Sequence, residues 1–145
     1  MPIARKTRLA VAALLELARH AQPLPLTQLS RRLRVSVSYL ELLFGRLRQH
    51  GLVHSTRGPG GGYRLARSPA AISVLDVVTA VDGPDGDAPA RSATRPRPDE
   101  SHAAGRIDSD WWQAAENAMA GWLAAVSLHD LVEADRSARP LPLAA

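Results

Sequence analysis

Residues 36–65 read SVSYLELLFGRLRQHGLVHSTRGPGGGYRL, and the period of their apolar positions changes once, at Gly51. Before it, Leu40, Leu43, Phe44 and Leu47 recur at helical spacing, and either Ser36 or Ser38 can cap the helix that carries them. Gly51 stands at the C′ position that ends such a helix. After it, residues 52–56 and 63–65 predict two short strands joined by Arg57, Gly58, Pro59, Gly60, Gly61 and Gly62. The stretch is therefore a helix followed by a hairpin whose long tip carries almost no side chains.

Working outward, Leu9, Ala12, Ala13, Leu17 and Ala21 predict a first helix over 5–20, which Pro23 and Pro25 break. Thr27 is placed to cap a short second helix over 27–34 with Leu26, Leu29 and Leu33 on one face, and Val35 lies in the tight connection to the next. Downstream, Ser73 and Asp76 have the spacing of a capping box, which predicts a fourth helix to about residue 81. From Gly83 to Arg106 no Val, Ile, Leu, Met, Phe, Trp or Tyr occurs in 24 residues, so a flexible loop is expected over 83–107. Helical patterning returns over 108–125, with Trp112, Ala115, Met119, Trp122 and Val126 on one face. A last short packing helix to about 134, within a 108–135 unit, and a frayed tail over 136–145 complete the chain. The fold class is mainly α with a small β-wing: a winged helix-turn-helix over 1–82 plus a long appended helix.

Composition narrows the functions. The sequence has no cysteine, which removes disulfides, thiolate catalysis and Cys-ligated clusters. The longest apolar run, residues 9–15, is far short of a membrane span, and the N-terminus lacks a signal-peptide pattern, so no membrane partner and a cytoplasmic, nucleoid-associated location are expected. The net charge of +4 conceals an asymmetry. Residues 1–68 hold 12 Lys+Arg against Glu16 and Glu41, a net +10, whereas 69–145 hold six Arg against 12 acids, a net −6. A basic front half suits a polyanion.

The geometry of that half suits double-stranded DNA. A helix about 10–12 Å across enters the major groove, and its N-terminal side chains meet base edges. Here these are Ser36, Ser38, Tyr39 and Glu41. Glu41 either accepts from the exocyclic amine of cytosine, pairs with Arg46 or Arg48, or simply faces solvent. Arg57 at the base of the Gly58–Gly62 tip suits a narrow minor groove, and Lys6, Arg8, Arg31, Arg32 and Arg34 are candidates for phosphates. No catalytic constellation is evident: His54 and Ser55 are adjacent on a strand and point to opposite faces.

Residues 36–65, together with ISVLDVVTAVDG at 72–83 and WLAAVSLHDLV at 122–132, closely resemble the IscR-type family of bacterial winged-helix transcriptional regulators. The resemblance implies a homodimer on an operator of imperfect dyad symmetry, with Trp112, Met119, Trp122 and Val126 of the long helix forming the dimer interface. Cluster-binding members carry three cysteines in the loop before that helix. Here Thr94, Glu100 and Arg106 fall near those places, and His102 with Asp99 and Glu100 makes a poor metal set. Leu42 stands where relatives often have a polar residue. The expectation is a repressor without cofactor or metal, which binds DNA either constitutively or under an unknown small-molecule or protein effector. The alternative is a protein-interaction module on the same scaffold that has lost operator binding.

Overall fold

The computed structural model describes residues 4–83 and 106–137. Helix α1 (Arg5–Arg19) buries Thr7, Ala10, Ala13, Leu14 and Leu17. The two alanines keep that face low, so four elements can approach it: α2 (Leu26–Leu33), strand β2 (Gly62–Leu65), α4 (Val74–Asp82) and α6 (Leu128–Ser137). Helix α3 (Val37–Gln49) adds Leu40, Leu43, Phe44 and Leu47 to the same core. Strand β1 (Val53–Thr56) pairs antiparallel with β2, Val53 opposite Leu65 and Thr56 opposite Gly62. A 3-10 turn at Pro69–Ala71 leads into α4, and α5 (Arg106–Ala125) precedes α6.

A second apolar cluster, Val74, Leu123 and Val126 with Leu75, Val78, Trp122 and Leu131 around it, fixes α5 to α4. The joint between α5 and α6 is stitched to the start of α4 by an antiparallel bridge between Ser73 and Ser127. Its bonds run from Val74 N–H to the Val126 carbonyl (2.8 Å) and from Leu128 N–H to the Ile72 carbonyl (2.9 Å). Both serines of that bridge cap a helix. Ser73 and Asp76 form the expected capping box reciprocally, and Ser127 and Asp130 repeat it at α6.

Several expectations need correction. Thr27 is not a cap: Gln28 and Leu29 N–H already donate to the Pro25 carbonyl, so the helix starts at Leu26 with Pro25 preceding it. Ser36, not Ser38, caps α3, accepting from the Tyr39 N–H at 3.2 Å. Helix α5 begins two residues before 108, and α6 extends to Ser137, into the stretch expected to fray. Val126, expected on a dimer face, is buried in this chain beside Val74, and Trp122 packs against the same cluster. The remainder of the expected loop (84–105), residues 138–145 of the tail and the side chain of Trp112 lie outside the described residues.

Gly45 occupies the middle of α3, and nothing lies within 4 Å of a Cβ built there. Gly45→Ala should therefore raise unfolding stability by about 0.5–1 kcal/mol, measured from the denaturant midpoint. Asp130 accepts from the backbone N–H and the hydroxyl of Ser127. These bonds, the backbone one foremost, hold its carboxyl below the usual aspartate range. A depressed folded-state value contributes stability above the unfolded value and loses it as pH falls through the folded one. Asp130→Asn should accordingly flatten the acid limb of the stability curve below about pH 4.

Candidate nucleic-acid interface

The turn between α2 and α3 is closed by its own backbone. Arg34 adopts the left-handed conformation (φ 55°, ψ 47°), the only described non-glycine residue with positive φ. Val35 N–H donates to the Ser30 carbonyl at 3.2 Å, and the Ser30 hydroxyl donates to the Val35 carbonyl at 2.5 Å. This double closure sets the angle at which α3 leaves α2. Inward, α3 spends Leu40, Leu43, Phe44 and Leu47 on the core. Outward, it leaves Ser36, Ser38, Tyr39, Glu41, Leu42 and Arg48 exposed. Glu41 has no ion-pair partner among the described residues, so the expected alternative of a pair with Arg46 or Arg48 is not formed.

The wing is set beside α3 by two contacts. The Phe44 and Tyr63 rings meet edge to face with centroids 4.8 Å apart. Leu24, between α1 and α2, pairs through both backbone groups with Tyr63, at 2.9 and 2.8 Å. Gly62 is held at φ 150° where that pairing brings the Leu24–Pro25 backbone so close that any Cβ would collide with the Leu24 carbonyl. Beyond it, Arg57, Gly58, Pro59 and Gly60 are exposed, while Gly61 is half-buried and closes the tip by donating to the Gly58 carbonyl.

The basic residues of the front half fall into two sets. Lys6 pairs with Asp82 at 3.1 Å, beside the buried Thr7 hydroxyl that donates to the same carboxylate; it is thus committed within the chain and not simply a phosphate contact as expected. Arg19 binds Glu16 and Asp135, Arg32 binds Glu16, Arg46 donates to the Val81 carbonyl, Arg64 to His54 and Arg67 to the Ala71 carbonyl. Arg5, Arg8, Arg31, Arg34, Arg48 and Arg57 are exposed, and their side chains have no partner among the described residues. Sequence reading did not single out Arg5. It shares a shallow hollow of about 340 Å³ with Leu9, Val35, Ser36 and Tyr39, next to the N-terminus of α3. Only the packing of α1 on the turn reveals that proximity, since 31 positions separate Arg5 from Ser36.

The structure thus brings Ser36, Ser38, Tyr39, Glu41 and Arg5 to one end of α3, and the same helix carries the wing through Phe44. Met119 is exposed on α5, as is Trp111. Among the described residues, no helix is long and apolar enough to cross a membrane.

Comparison with known proteins agrees with this geometry. A family model described as Rrf2, iron-dependent transcriptional regulator, matches residues 3–134. The chain is 40% identical over 136 residues to the HTH-type transcriptional regulator IscR of Photorhabdus laumondii subsp. laumondii, covering 91% of this chain and 79% of the relative. Among solved structures it is similar to T. potens IscR, with a TM-score of 0.76 and 26% identity across 99% of this chain and 94% of that one. It is also similar to CymR, the global cysteine regulator of B. subtilis, with a TM-score of 0.72 and 30% identity across 92% and 97% of the two chains. An exposed recognition helix and wing, on a scaffold matched along nearly its whole length, leave one assignment: the chain belongs to the Rrf2 family of DNA-binding transcriptional regulators, of the IscR type.

Proposed function

We propose that the protein is a homodimeric repressor that grips an operator of imperfect dyad symmetry and does so without an iron–sulfur cluster. The observation that carries this reading is the division of the cations. Half of those in residues 1–68 are committed to partners inside the chain. Arg57 at the wing, Arg48 on α3 and Arg5 beside its N-terminus have none among the described residues and face solvent. An unpaired exposed arginine contributes little to the fold but is what a phosphate backbone or a narrow minor groove needs. In this reading Ser38, Tyr39 and Glu41 enter the major groove, Arg57 and the glycine tip enter the minor groove, and Arg5 and Arg8 hold phosphates. Repression is the outcome that operator occupancy alone produces, with no further contact required.

Two further points support it. The iron in the family description calls for donors, and the thiolates that hold a cluster are missing from this sequence. Among the described residues, no three His, Asp or Glu side chains come together as an alternative set. The residues present do not fit an iron–sulfur cluster. The case for a dimer rests on α5, where Trp111 is 60% and Met119 37% exposed, an unusual expense of apolar surface for a chain standing alone.

Fragment selection at ~150 mM salt, where nonspecific binding is weak, should recover a dyad-symmetric motif. Arg57→Ala should then cost about 1–3 kcal/mol of affinity for that motif. Random DNA in the selection, with stable protein partners in a parallel pulldown, would instead favour the interaction-module alternative. Met119→Asp should give monomers by sedimentation. It is a cleaner probe of the seam than Trp122, which is partly buried within the chain.

A further inference from the structure

We infer that Leu42 is a specificity-determining residue that seats the 5-methyl group of a thymine in the major groove. The inference rests on the DNA-binding reading above and deepens it. Leu42 is 60% exposed, whereas Leu40 and Leu43 on either side are buried. The core stripe of α3 runs through Leu40, Leu43, Phe44 and Leu47, and Leu42 belongs to neither apolar cluster of the described residues. The fold therefore gives no use for its side chain.

Its place on the helix does. Ser38, Glu41, Leu42 and Gly45 follow the i, i+3, i+4, i+7 spacing of a single face, opposite the core stripe. On the flank of Gly45 Leu42 has no cover, because that residue has no side chain and nothing lies within 4 Å of a Cβ built there. On its other flank Leu42 shares a shallow hollow of about 140 Å³ with Tyr39, Leu43, Lys6 and Arg46. An exposed leucine beside Tyr39, on a helix whose unpaired cations among the described residues are Arg48 and the Arg5 next to its N-terminus, is too small for a protein-docking patch, which would extend over several apolar neighbours. It fits a partner that is anionic along its backbone and presents isolated apolar groups. The major groove of duplex DNA is such a partner, and its one apolar feature is the thymine methyl. Glu41, one residue earlier, would meet a neighbouring base pair by accepting from a cytosine amine.

The test uses the full chain and the most enriched duplex from a random 30-bp library. Each thymine is replaced in turn by deoxyuridine, which removes only the methyl group. One position per half-site should weaken wild-type binding by about fourfold, the value of one buried methyl. Leu42→Ala should bind the thymine duplex about as weakly as the wild type binds the uridine one and be indifferent to the replacement. Its melting temperature should be unchanged, because the side chain is exposed. Two results would overturn the inference while leaving DNA recognition intact: no uridine position matters to a tight wild-type complex, or Leu42→Ala keeps the full uridine penalty. Failure to enrich any duplex would overturn the DNA-binding reading and the inference together.

Discussion

Two backbone hydrogen bonds between Leu24 and Tyr63 hold the wing to the rest of the winged helix. A two-stranded hairpin is marginal by itself in water, and β1–β2 buries little beyond Val53 at its base. The added bridge gives β2 a partner on its second edge, and Phe44 packs on the ring of the same tyrosine. Tyr63 thereby meets the α1–α2 connection through its backbone and the recognition helix through its side chain. The requirement for glycine at position 62 follows, since the bridge leaves no room for a Cβ. So does the position of the wing tip, whose base is not free to swing.

Charge is distributed according to the same economy. Acids from the back half reach forward to neutralise selected cations of the front half, Asp82 at Lys6 and Asp135 at Arg19. These exposed or half-buried pairs add little to stability individually. Their effect is on the potential: they remove positive charge from the side of α1 that faces α4 and α6, and so leave what remains on Arg5 and Arg8 at the start of α1, Arg31 and Arg34 at the end of α2, Arg48 of α3 and Arg57 of the wing. The buried Thr7 hydroxyl gives Asp82 a second partner and keeps that carboxylate with α1.

The parts of the structure that local chemistry dictates were legible in the sequence. The α3 stripe, the C′ glycine at 51 (φ 68°), the hairpin and the Ser73–Asp76 box all lie within a few residues of their cause. What was not legible depends on distant partners or on residues that carry no signature. Leu24, between two prolines, reads as loop until Tyr63 arrives from 39 positions away. Arg34 has no composition cue for the left-handed conformation, which the Ser30 and Val35 bonds impose. Thr27 has the chemistry of a cap, but the Pro25 carbonyl had already begun the helix. Lys6 looks like any basic residue near an N-terminus until Asp82 is placed beside it. Val126 keeps the period of the α5 face yet lies past its last turn, where the bridge draws it inward.

Helix α4 has nine residues and is therefore about 13 Å long. One end is sewn to the α5–α6 joint at Ser73 and Ser127, and the other grips α1 through Asp82 and the recognition helix through the Val81 carbonyl and Arg46. It works as a strut with a fastening at each end. A load borne by α5 is delivered by that strut to the flank of α3. In the proposed dimer on α5, the spacing of the two α3 helices would thus be a mechanical property of nine residues, none of which needs to touch DNA.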